Sequence, residues 1–252
     1  MTSENHSLWD ADDCEHFHTQ NVTSFPAQAH SSEERDVSLA GTTTVKVRAS
    51  EQGGVSVRGW DRTVARLTVC KYAAGLTQLQ AEQSLGSVAV SIHNGEIVAG
   101  GPEAKTDGVW WVHMILRLPR RSNLDVTSAN GGITIRNMNG RVTARATNGG
   151  ISLASCAGEN RISTGNGGIS LQTITGPVDA STENGPISLK LTRDPELPSI
   201  EAQIDADSEI LCRFKRCSTD LHASRRYLKM GSARPSIRLS SSHAPITIEQ
   251  VR

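Results

Sequence analysis

The sequence predicts an all-β fold: a single β-solenoid with coils of 18 residues. Three observations carry that reading. Asn130, Asn148, Asn166 and Asn184 recur at intervals of 18, as do Gly140, Gly158 and Gly176, and Ile133, Ile151, Ile169 and Ile187. Within a unit, apolar and polar residues alternate, as in Val142-Thr143-Ala144-Arg145-Ala146 and Ile151-Ser152-Leu153, the period-2 mark of half-buried strands. The composition, with 4% aromatic residues and 22 glycines, suits short strands and turns better than helix packing.

Taken in order, residues 1–35 read as a polar tail and residues 36–252 as the solenoid. Val45, Val47 and Ala49 lead through Glu51 to Gly53-Gly54-Val55-Ser56-Val57, a degenerate first copy of the repeat. Longer strands are expected over 62–70, 87–92 and 109–118, the last apolar enough to be buried on both faces. The regular units are 122–139, 140–157, 158–175 and 176–193. Residues 194–235, with two prolines in DPELP and a basic run, break the rhythm as one distorted coil and an excursion. Residues 236–252 make a final coil, with Ala244-Pro245-Ile246-Thr247-Ile248 in the Gly-Gly-Ile-Ser-Leu slots. Atypical first and last copies suit caps.

An antiparallel meander is the alternative, because Asn-Gly between alternating segments is a strong hairpin signal. The solenoid is favoured because residue identity returns once per full unit. Like residues then stack on like about 4.8 Å apart, which rewards ladders of Asn and of aliphatic side chains. At the Asn-Gly-Gly corner, glycine supplies freedom to turn, and Asn either adopts a left-handed conformation or stacks on its neighbour. Asn130, Asn148, Asn166 and Asn184 are therefore read as a structural turn ladder. Cys156 shares its slot with Met138 and Ile174, which makes it an inward core residue.

The passage VHMILRLPRRSNLDVTSANGGITI, followed by the NGGISL units, resembles a bacterial putative-adhesin family. The resemblance spans residues 36 to 252 and is similar in style to head domains of autotransporter adhesins and to cell-envelope stress proteins. It implies a single right-handed β-solenoid, usually extracytoplasmic, with no established enzymatic activity and no transferable functional residues.

Charge excludes little and suggests less. Lys plus Arg equals Asp plus Glu at 26 each, so no net field steers the chain toward nucleic acid or an acidic membrane. No apolar run is long enough for a transmembrane helix. The acidic start MTSENHSLWDADDCEHFHTQ lacks the regions of a signal peptide, so the chain as written reads as unexported. Five cysteines leave one unpaired at least, and Cys14–Cys70 and Cys212–Cys217 are candidate disulfides in an oxidising compartment.

The search for chemistry yields few candidates. No P-loop, HExxH, GxSxG or EF-hand pattern occurs, and no Asp follows the Gly-Gly pairs as calcium-binding coils require. Asp125, Asp179 and Glu183 are scattered rather than paired, which speaks against the carboxylate dyad of a polysaccharide-active β-helix enzyme. Cys14, His16 and His18 alternate near Asp12 and Asp13 and are weak candidates for a metal cluster, the basis of a metal-sensor alternative. Arg213, Lys215, Arg216, Arg225, Arg226 and Lys229 form a basic concentration that fits a solvated loop or an anionic partner. Thr134, Ser152, Ser170 and Ser188 point outward in successive units and are a candidate interaction face. The expectation is a non-enzymatic scaffold or adhesin-like module without cofactor, with a glycan or an envelope protein as partner and no nucleic acid. A carbohydrate-active enzyme, lyase or hydrolase, is the runner-up.

Overall fold

A computed structural model describes residues 14, 25–39, 41–103, 108–192, 199–205, 208–213, 226–230 and 236–250. Their strands form two ten-stranded sheets. In spatial order the first sheet holds β1 (Ala27–Val37), β4 (Ala65–Gly75), β7 (Gly108–Pro119), β3 (Val55–Trp60), β9 (Ile133–Arg136), β11 (Ile151–Ala154), β13 (Ile169–Gln172), β15 (Ile187–Leu191), β20 (Ile246–Gln250) and β17 (Ile210–Cys212). The second holds β18 (Tyr227–Met230), β16 (Ile200–Ile204), β19 (Ile237–Ser241), β14 (Val178–Thr182), β12 (Asn160–Thr164), β10 (Val142–Ala146), β8 (Asn123–Ser128), β2 (Thr44–Arg48), β6 (Glu96–Gly100) and β5 (Ala89–His93). One helix, α1, spans Gln78–Ser87.

The expected single right-handed β-solenoid is corrected by this topology. The sheets are mixed and lie in a sandwich-like arrangement, with antiparallel pairs β1–β4, β4–β7, β5–β6 and β16–β18 among the parallel ones. The physical reason is that the repeat governs only its own stretch. Strands β4 and β7, at 11 and 12 residues, are longer than half of an 18-residue unit and pair with each other antiparallel over ten residue pairs. The polar tail expected through residue 35 also ends early, since β1 begins at Ala27 and runs along β4. Helix α1 was not expected. Its start is written in Thr77 and Gln80, which exchange side-chain and backbone hydrogen bonds as a capping box.

From β8 to β15 each unit gives one strand to each sheet, and equivalent residues pair 18 apart: Ile133, Ile151, Ile169 and Ile187 in the first sheet, Val126, Ala144, Ile162 and Ala180 in the second. These side chains meet in one continuous core together with Met138, Cys156 and Ile174. Burial pushes the Cys156 thiol up, so it stays protonated and unreactive. One rung departs from the apolar rule. Asn160 is fully buried between Val142 and Val178; its Nδ2 donates to the Gly158 carbonyl at 2.6 Å, while its Oδ1 has no partner.

The Asn-Gly-Gly corner works differently from either expectation about φ. Among the described residues, left-handed backbone falls at Asn137, Ser155 and Thr173, the other corner of the unit, and at Asn94, Gly41 and Gly95. The glycine that follows each asparagine is needed for close approach instead: a Cβ on Gly149, Gly167 or Gly185 would overlap the carbonyl oxygen of Gly131, Gly149 or Gly167. The asparagines stack. Asn148 Nδ2 donates to Asn130 Oδ1 at 2.7 Å, Asn166 to Asn148 at 2.6 Å, and Asn184 to Asn166 at 2.7 Å. Inside the corner, Thr164 and Thr182 hydroxyls donate to the Gly149 and Gly167 carbonyls and accept from the Gly167 and Gly185 amides. Buried polar groups are thereby satisfied where the chain crosses between sheets.

Candidate functional site

The outer face of the first sheet carries side chains in rows that run across the strands, because parallel register stacks equivalent positions. One row is Ser56, Thr134, Ser152, Ser170, Ser188 and Thr247, directly paired from β3 to β20. The four residues expected as an interaction face are thus brought together, but unequally. Thr134 is only 7% exposed, whereas Ser170 is open to solvent. A shallow groove of about 200 Å³ lies over Gly132, Gly150 and Gly168 beside Thr134, Ser152 and Ser170.

Two residues further along the strands lies a row that sequence reasoning missed. Arg66, Arg117, Arg58 and Arg136 face one another in direct register on β4, β7, β3 and β9. At strand spacing the outer two are roughly 14 Å apart. Like charges directly opposite are unfavourable by themselves, and each of these arginines makes further contacts. Its end is tied to β1, where Arg66 meets Glu34 at 3.1 Å and Asp36 at 3.0 Å. Trp60 lies two positions past Arg58, with the guanidinium carbons of Arg62 and Arg66 at 4.9 and 5.9 Å from its ring centre. No local signal announces the row, since its members come from four separate strands whose register no local pattern encodes.

At the β3 end of the hydroxyl row, Ser56 Oγ lies 3.1 Å from His113 Nε2, the spacing of a nucleophile and a base. Burial pushes the His113 imidazole down to about 3, and only 4% of the residue is exposed. A base so far below neutrality accepts a proton poorly, and no substrate reaches it. The pair is a buried hydrogen bond in the sheet.

The remaining candidates separate. Cys14 is joined to Cys70 in a disulfide, and Tyr72 donates its hydroxyl to the Cys14 carbonyl at 2.9 Å. A disulfide sulfur is not the thiolate that binds metals, and His16 and His18 lie outside the described residues, so the cluster gains no support. Among the described residues no group of three or more His, Cys, Asp or Glu is placed to hold a metal ion. Cys212 is also disulfide-bonded; Cys217, Lys215, Arg216 and Arg225 lie outside the described residues. Asp125 pairs with Arg145 at 3.1 Å on the other sheet, and Asp179 stands between Arg161 and Arg238. No described helix is long and apolar enough to cross a membrane.

No family pattern and no curated protein matches the chain. Solved structures do. A putative cell adhesion protein from Clostridium sporogenes is 11% identical with a TM-score of 0.46, the match covering 88% of this chain and 100% of that one. A putative adhesin from Bacteroides fragilis is also 11% identical with a TM-score of 0.46, over 88% and 97%. A putative lipid binding protein from Parabacteroides distasonis is 9% identical with a TM-score of 0.29, over 88% and 97%. The adhesins are of the kind the sequence resemblance named. At these identities and TM-scores they carry no argument about activity or partner.

Proposed function

We propose that the chain is a non-enzymatic, adhesin-like interaction module of the bacterial envelope that holds an extended acidic glycan on the outer face of its first sheet. One observation carries the reading: hydroxyl and arginine rows lie two residues apart on one sheet face and overlap on β3 and β9, with Trp60 at the edge of the arginine row. A linear polymer lying across the strands meets the same groups repeatedly, so weak contacts add. Guanidinium groups match carboxylate or sulfate geometry, and the serines suit sugar hydroxyls. The buried, low-pKa His113 supports binding without turnover.

Polygalacturonate is the probe. Arg58→Gln with Arg136→Gln should weaken its binding about tenfold, as should Ser152→Asp with Ser170→Asp, each removing charge-assisted or steric complementarity. Arg161→Gln with Arg238→Gln, on the other sheet, should leave binding intact. Equal binding by all variants sinks the face as the site, and release of oligosaccharide products would restore the carbohydrate-active enzyme reading.

A further inference from the structure

A cleft at one end of the sandwich, away from the hydroxyl and arginine rows, has a different character. A hollow of about 570 Å³ is lined by Ala49, Glu51, Gln52, Gly101, Glu103 and Trp110, among other described residues. A second, of about 220 Å³, lies between Trp110 and helix α1, and the two share Pro102, Glu103 and Trp110 as a wall. The indole between them is fixed. Its Nε1 donates to the Pro102 carbonyl at 2.8 Å, and Gly101 sits so close to the six-membered ring that a side chain there would collide with it.

Helix α1 follows the usual rule at Ala81, which is fully buried, but not at its start. A helix lying on a protein turns its apolar residues inward. Here Leu76, just before the helix, is 55% exposed and Leu79, in its first turn, is 64% exposed. Gln80, Gln83, Ser84 and Ser87, which share one face by their three- and four-residue spacing, line the smaller hollow instead. Uncharged amides and hydroxyls thus stand across a cavity from a rigid indole. That pairing suits a ligand with an apolar ring face and a rim of hydroxyls. Glu51, Gln52 and Glu103 add groups that hydrogen-bond hydroxyls. No lysine or arginine is among the described lining residues, which disfavours phosphate and acidic polymers. The larger hollow falls within the roughly 300–1,000 Å³ of small-molecule sites.

We propose that this two-lobed cleft binds a neutral oligosaccharide, with one sugar ring stacked on Trp110 and its neighbours hydrogen-bonded to Gln83, Ser84 and Glu103. The site does not depend on the face proposed above. The full chain is titrated by calorimetry with cellohexaose, N-acetylchitohexaose, maltohexaose and mannohexaose. At least one should bind, with Trp110→Ala weakening it about tenfold and Trp110→Phe retaining most of the affinity. Because Trp110 also touches the core, Gln83→Ala with Ser84→Ala supplies a second test on the solvent side of the cleft, expected to lose several-fold with an unchanged melting curve. Binding by none of the four sugars overturns the proposal, as does binding that survives both the Trp110→Ala and the Gln83/Ser84 changes. Ser152→Asp with Ser170→Asp should leave it intact; loss there would move the sugar to the outer sheet face and overturn the cleft.

Discussion

The outer faces of the two sheets are built on the same stacking principle and use charge in opposite ways. On the second sheet, one row reads Lys229, Glu201, Arg238, Asp179, Arg161, Thr143, Asp125, Lys46 and Glu96, alternating in sign across nine strands except at the threonine. Ion pairs such as Arg238–Glu201 at 3.6 Å and Arg145–Asp125 at 3.1 Å lie on that face. On the first sheet the corresponding row gathers four arginines side by side. The second face alternates charge along its row, whereas the first gathers like charge in register, and the proposed acidic partner would lie on the first. That difference teaches where to look for a partner better than net charge does, because the chain as a whole is neutral.

The largest effect is expected at the corners both faces share. Gly167→Ala would drive a Cβ into the Gly149 carbonyl, a backbone atom that cannot step aside, and should destabilise by about 3 kcal/mol or prevent folding. Gly150→Ala, whose Cβ would sit 3.3 Å from the Gly168 carbonyl, should be far milder. Thermal melts of the pair decide whether close approach or mere flexibility explains these glycines. The next effect belongs to the first sheet alone. His113 is held neutral by burial, with its folded pKa lowered to about 3. The folded state therefore binds fewer protons, so stability is complete above the unfolded pKa near 6.5 and falls as pH drops toward 3. The loss should be about 2 kcal/mol by pH 5, and urea titrations of His113→Gln should lack that dependence.

Swapping the two charge patterns tests the comparison directly. Asp179→Lys would set three cations in register on the second sheet and should lower stability by about 1 kcal/mol at low salt, recovering at high salt. Arg58→Glu, which sets an acid between Arg117 and Arg136, should do the reverse while abolishing polygalacturonate binding. Melting both variants at two salt concentrations would break the comparison if neither moves. The smallest change is Asn160→Val, which removes the orphaned Oδ1 and restores the apolar rung; a gain of about 0.5–1 kcal/mol in denaturant unfolding is expected.

What was legible in the sequence was whatever repeats locally. The 18-residue spacing placed Ile151 over Ile133, Ser152 over Thr134 and Asn148 over Asn130, because parallel register translates spacing into contact. It did not reveal how the segments outside the repeat pair. Strand β1 is polar on both sides of an exposed edge, so its residues look like a tail. Strand β4 meets β7 antiparallel more than thirty residues later, an event no local pattern encodes. Helix α1 has a cap but no apolar stripe, since Ala81 alone is buried and the face of Gln80, Gln83, Ser84 and Ser87 lines a cleft. Arg58, Arg66, Arg117 and Arg136 become a row only once four separate strands align. Within the same chain, the repeating rungs were read from periodicity, and the surfaces proposed to bind partners were assembled by topology.

The asparagine ladder has a further consequence. All three amide-to-amide bonds run in the same direction, from Asn184 toward Asn130, so the side-chain dipoles add head to tail like those of a helix. The corner is polarised, with an N–H pole at the Asn130 end and a carbonyl pole at the Asn184 end. Removing an inner rung such as Asn148 splits this line into unconnected parts, whereas removing Asn184 merely shortens it. Position along the ladder, and not residue type alone, therefore sets what each asparagine contributes.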